Sequence, residues 1–133
     1  MEKATLEHLN TLTAKEQDIC KQVTDYFGIS LDFFFDESRK NRNSIPRYIA
    51  MFLMKKLIKN ATLGYIGTRV RIKKLHHTSV MHGIETAEIE MKHNEDIQKF
   101  VNDYIGENAV EIKNTKQYNL YKNKNFKIIA YAS

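Results

Sequence analysis

Seven consecutive residues, Tyr48 to Met54, are all apolar. This stretch constrains the fold more than any other. It follows Ser44-Ile-Pro46, where Ser suits an N-cap and Pro fits a first helical turn that needs no backbone N–H. Read on to Asn60, the segment is a helix with Ile49, Ala50, Phe52, Leu53 and Leu57 on a broad apolar face. Lys55, Lys56 and Lys59 lie toward its C-terminal end, where the helix dipole favours cations. The apolar run is far too short to span a bilayer, so other parts of the chain must cover it.

Those parts are legible from caps and periodicity. Residues 2–12 suggest a short helix. Thr13-Ala-Lys-Glu16 is a capping box, followed by Ile19, Val23 and Phe27 at four-residue spacing and by Gly28, which suits the C′ position. Ser30 caps a short turn expected to send Leu31, Phe33 and Phe34 into the core. Asp36 to Asn43 reads as a polar, basic loop. Thr62 caps a short helix with Leu63, Ile66 and Val70 inward, and Gly67 within it suits a close helix–helix approach. Arg69 to Leu75 is a basic connector. A long helix then opens at His76/His77 and runs to about Lys92, with Val80, Ile84, Ala87 and Met91 inward. A short helix joined by a turn to a longer one is the helix-turn-helix plan. Asp96 to Tyr104 reads as a further amphipathic helix ended by Gly106. Residues 109–113 and 118–131 alternate apolar and polar around Lys122-Asn-Lys-Asn125, a β-hairpin signal. The fold class is therefore mainly α, a helix-turn-helix bundle over 1–94 with a C-terminal helix and β-hairpin extension over 95–133.

Charge is distributed unevenly. The segment from Arg39 to His77 carries eleven of the 21 Lys/Arg and none of the 16 Asp/Glu, while the remainder sets all 16 acids against ten bases. A segment so one-sided attracts polyanions, nucleic acid above all. The single cysteine, Cys20, has no disulfide partner in the chain and reads as a small buried apolar group. The mixed-charge N-terminus is unlike a signal peptide, and the expectation is a soluble, cytoplasmic protein without a membrane segment.

The stretch Leu75-His-His-Thr-Ser-Val-Met-His82 invites three readings. A metal bound from a helix needs histidines at i and i+4, whereas His77 and His82 are five apart and Cys20 has no thiol partner. Catalysis needs a nucleophile, a base and an orienting group, but adjacent helical residues do not face one another and no acid follows until Glu85. Neither a metal, a cofactor nor an enzymatic role is expected. The third reading fits the surroundings: His76, His77, Thr78 and Ser79 form the first turn of the second helix of a helix-turn-helix, the part that meets base edges in the major groove. Arg39, Lys40, Arg42, Arg47, Arg69, Arg71, Lys73 and Lys74 would supply phosphate or minor-groove contacts.

Taken in order, Val23-x-x-x-Phe27-x-Ile29, Ser38-Arg39, Pro46-Arg47-x-x-Ala50-Met51-x-Leu53, Leu63-x-x-Ile66-Gly67 and His77-Thr78-Ser79-Val80-x-His82 resemble the C-terminal DNA-binding domain, domain IV, of the bacterial chromosomal replication initiator DnaA. The resemblance spans Ile19 to about Met91, and its most telling part is the last, since the family's recognition helix opens Asp-His-Thr-Thr-Val. It implies an all-helical domain with a Trp-repressor-like helix-turn-helix that reads duplex DNA. His77 and Thr78 match the family's base-contacting pair, Ser79 stands where a second Thr is usual, Arg39 matches a basic loop residue, and Arg47 matches the second arginine of an Arg-Pro-Arg element. The first arginine of that element is Ile45 here, the aspartate before His-Thr is His76, and the turn is two residues longer without its Gly-Gly. Arg42 is the candidate for the minor-groove role of the missing arginine. No phosphate-binding loop of the G-x-x-x-x-G-K-[ST] kind is present in the sequence.

The expectation is therefore a stand-alone, sequence-specific double-stranded-DNA-binding protein of bacterial type, regulating replication initiation or transcription. The alternative is a protein-interaction module on the same scaffold, docking or self-associating through 95–133.

Overall fold

The computed structural model describes residues 1–36 and 44–108. Among the described residues every regular element is an α-helix: α1 (Lys3–Thr11), α2 (Ala14–Phe27), α3 (Leu31–Phe35), α4 (Ser44–Leu57), α5 (Leu63–Arg69), α6 (His77–His93) and α7 (Glu95–Asn108). The expected hairpin and the expected loop carrying Arg39, Lys40 and Arg42 lie outside them.

Helix α4 is the axis of the bundle. Ile49 to Met54 are six consecutive residues with at most 1% exposure, and α4 packs against α2, α5, α6 and α7. The apolar face is thus wider than periodicity implied. A helix that is apolar all round is one that neighbours cover on every side. Its crossing with α6 is close because Gly83 faces it. A Cβ there would lie 2.6 Å from the Tyr48 ring and 2.8 Å from the Met51 sulfur. Asn60, at φ 66°, turns the chain away beyond α4.

The capping box at the start of α2 forms as read. Thr13 Oγ1 accepts from the Glu16 N–H at 3.2 Å, and the Thr13 N–H donates to Glu16 Oε1 at 2.9 Å. Gly28 ends the helix in the left-handed region at φ 69°. Ile19, Cys20 and Val23 are fully buried, and burial pushes the Cys20 thiol far up, as suits an inert apolar filler. In α3 the inward residues are Phe34 and Phe35, both 0% exposed, while Phe33 lies at the surface. The Ser30 hydroxyl accepts from the Phe33 N–H, which places Phe33 in the solvent-facing first turn and rotates the next two residues inward.

Helix α7 opens earlier and closes later than its periodicity implies, with Gly106 inside it. Asn94 Oδ1 caps it by accepting from the Ile97 N–H at 3.1 Å. Ile97, Val101, Tyr104 and Ile105 are buried in the same cluster as the residues of α4. The Tyr104 hydroxyl donates to Asp18 of α2 at 2.5 Å. Burial, then this bond, push the Tyr104 phenol up. A boundary at Asn94 therefore marks a helix cap, and residues 95–108 share one core with the helices before it.

Candidate nucleic-acid interface

Helix α5 is seated first. Thr62 Oγ1 caps it by accepting from the Tyr65 N–H. The Tyr65 hydroxyl donates to Glu16, a carboxylate with 0% exposure whose other oxygen closes the α2 capping box. A buried carboxylate is tolerated where donors surround it. Arg69 completes the group. Its guanidinium lies 3.7 Å from Glu16, stacks 4.9 Å from the centre of the Tyr65 ring, and donates to the Thr11 carbonyl at 3.1 Å. The Arg69 carbonyl in turn meets His8 Nε2 of α1 at 2.8 Å.

The seven residues between α5 and α6 are then held back against the bundle. The Leu75 N–H donates to the Gly67 carbonyl at 3.0 Å, and the Ile72 N–H to the Phe35 carbonyl at 3.3 Å. Arg71 Nε donates to the Lys73 carbonyl at 2.7 Å and closes the tip of the turn. Gly67 permits this approach. Any Cβ there would run into the Leu75 carbonyl and press on Val80. At Gly67 the tightest approach is that of the returning backbone, with Val80 of α6 next, and Gly83 marks the crossing of α4 and α6.

From this support α6 projects its first turn outward. His76, His77, Thr78 and Ser79 are all exposed, while Val80 behind them is fully buried. The cap is His76: its Nδ1 accepts from the Thr78 N–H at 3.3 Å and lies 2.9 Å from Thr78 Oγ1. The His77 ring lies over His76, centroids 4.4 Å apart. No acid occupies this first turn, and Lys73 and Lys74 just before it are exposed. The positive end of the helix dipole and two exposed lysines just before it make an arrangement suited to phosphate.

Two of the expected phosphate contacts are engaged elsewhere. Arg47 is only 6% exposed. Its Nη2 donates to the carbonyls of Phe34 at 2.8 Å and Asp36 at 2.7 Å, tying α4 to the end of α3. Burial, together with the nearby Arg71 charge, lowers its guanidinium to about 10, so it stays protonated at neutral pH. Arg69 is held by Glu16 and Thr11, as above. Both fell within the basic segment, and composition alone does not distinguish a charge facing solvent from one holding carbonyls. The structure brings together Arg71, Lys73, Lys74, His76, His77, Thr78 and Ser79. It also adds Met81 and His82, exposed at i+3 and i+4 from Thr78, a spacing readable in the sequence once the helix start is known. A recess of about 350 Å³ lies beside this face, with Arg47, Tyr48 and Met51 on one wall and Thr78, Ser79 and His82 on the other.

The family model for the bacterial DnaA protein helix-turn-helix matches residues 17–87, from the start of α2 to the middle of α6. The chain belongs to this DnaA helix-turn-helix family. It is 32% identical over 99 residues to the chromosomal replication initiator protein DnaA of Lactococcus lactis subsp. cremoris, covering 74% of this chain and 21% of that protein. It is 35% identical over 80 residues to DnaA of Limosilactobacillus reuteri, covering 60% and 18%, and 35% identical over 72 residues to DnaA of Ruegeria pomeroyi, covering 54% and 15%. The chain thus spans about a fifth of the length of the relatives it matches. No solved structure matches it. Within this DnaA-type fold, α5 and α6 are the two helices of the motif, and the exposed first turn belongs to the second. No helix among the described residues is long and apolar enough to cross a membrane.

Proposed function

We propose that this chain binds double-stranded DNA sequence-specifically, with the first turns of α6 in the major groove. The observation that carries the reading is the exposed, acid-free turn His76-His77-Thr78-Ser79, flanked by exposed Lys73 and Lys74, on the second helix of a DnaA-type helix-turn-helix. His77 and Thr78 would meet base edges. Lys73, Lys74 and Arg71 would hold phosphates, joined by Arg39, Lys40 and Arg42 of the segment before α4. Arg47 and Arg69 would act indirectly, by fixing α4 and α5. The reading requires no catalytic step and no cofactor. Resemblance to replication initiators supports a role in controlling replication initiation, with transcription as the other use of a sequence-reading helix.

The test is fluorescence anisotropy of the purified protein with a random duplex pool at several salt concentrations, followed by sequencing of the tightest-bound duplexes. A steep fall of affinity with salt and an enriched motif are the expected results. Absence of binding at low salt would turn attention to a protein-interaction role through residues 95–133.

A further inference from the structure

His76 makes two contacts through one atom. Its Nδ1 accepts from the Thr78 backbone N–H at 3.3 Å and lies 2.9 Å from the Thr78 hydroxyl oxygen. One assignment of protons satisfies both contacts, with the single Nδ1 lone pair shared between them. An Nδ1 that accepts from an N–H carries no proton of its own, so the imidazole has its proton on Nε2. The hydroxyl must then be the donor in the second contact. Thr78 Oγ1, its single proton directed to His76, turns only lone pairs outward.

We propose that His76 sets the hydrogen-bonding polarity of Thr78, making it an obligate acceptor at the base edge it meets. This rests on the duplex-binding reading above and narrows it. In the major groove the donors are the N6 amino group of adenine and the N4 amino group of cytosine, whereas guanine presents N7 and O6, and thymine O4, as acceptors. A free threonine hydroxyl serves either kind, because it rotates to donate or accept. Thr78 held by His76 selects adenine or cytosine on the strand it faces. His76 is thus a positioning residue that acts through Thr78. Its place as the helix cap makes the constraint durable, since breaking it also frees a backbone N–H of α6.

The experiment compares the full chain with its His76→Ala, His76→Asn and Thr78→Val variants. Each is selected on the random duplex pool and then titrated with four duplexes differing at the position whose preference Thr78→Val erases. The wild type is expected to favour adenine or cytosine there by on the order of tenfold. His76→Ala, which releases the hydroxyl proton, brings the ratio toward one. His76→Asn restores the preference, because its Oδ1 accepts the same two hydrogens. Far-UV circular dichroism checks that α6 stays folded in each variant. A wild-type preference for guanine or thymine at that position, a Thr78→Val variant with an unchanged motif, or full discrimination by His76→Ala would each overturn the proposal while leaving duplex binding intact. A wild-type protein that binds no duplex overturns the underlying reading instead.

Discussion

Helices α6 and α7 begin in similar ways and finish their N-termini differently. Each is capped by a side chain that accepts from a backbone N–H of its first turn, His76 for α6 and Asn94 for α7. In α7 the next two residues are Glu95 and Asp96, so the positive end of the dipole meets negative charge from its own chain. In α6 the first turn holds no acid, and Lys73 and Lys74 precede it. One N-terminus is electrostatically closed and the other is left open to an outside anion. The same local architecture thus serves stability in α7 and, in the reading proposed here, recognition in α6.

The comparison can be broken most severely by reversing charge at the open end. Lys73→Glu together with Lys74→Glu should abolish duplex binding in anisotropy titrations while the far-UV spectrum stays helical. Retained affinity would mean that the open N-terminus is not a phosphate site. Next in size is Gly67→Ala, which sets a Cβ against the Leu75 carbonyl. Overpacking of this kind costs about 1–3 kcal/mol. Urea unfolding should show that loss, and duplex affinity should fall with it because the turn no longer supports α6. A stability equal to wild type would show that the turn can shift freely.

Smaller effects sharpen the contrast. Ser79→Asp gives α6 the acid that α7 already has. It should stabilise the fold by about 0.3–1 kcal/mol through the dipole and at the same time weaken duplex binding, two changes of opposite sign in one variant. A gain in both would contradict the division drawn between the two helices. The converse variant, Glu95→Gln with Asp96→Asn, should lower the urea midpoint by an amount corresponding to about 0.3–1 kcal/mol for each acid and leave duplex affinity unchanged. A change in DNA binding there would place α7 at the interface.

Much of this was written locally. Thr13 and Glu16, Ser30, and Thr62 announce helix starts because a cap is satisfied by residues three positions away, and Gly28 announces an end because few other residues take positive φ without strain. The inward residues Val80, Ala87 and Met91 follow from a period of 3.6, and so does the outward turn His76 to Ser79. Helix α7 runs past its legible stripe because Ile105 is buried next to Gly106 and Asn108 Nδ2 donates to the Tyr104 carbonyl at 2.9 Å, and a glycine is tolerated inside a helix whose apolar face is paired.

What the amino-acid sequence determined by itself is the set of helices, their caps, the helix-turn-helix order and the sign of charge along the chain, since each depends on residues within a turn or two of one another. What only the tertiary structure decided is which charges remain available. Arg47 reaches the carbonyls of Phe34 and Asp36, Arg69 reaches Glu16 and Thr11, and Gly83 meets Tyr48 where α4 and α6 cross. Those partners lie eleven to 58 residues away along the chain, and no local pattern specifies them. A guanidinium looks the same in a list of bases whether it faces solvent or is buried among carbonyls, and packing alone tells the two apart.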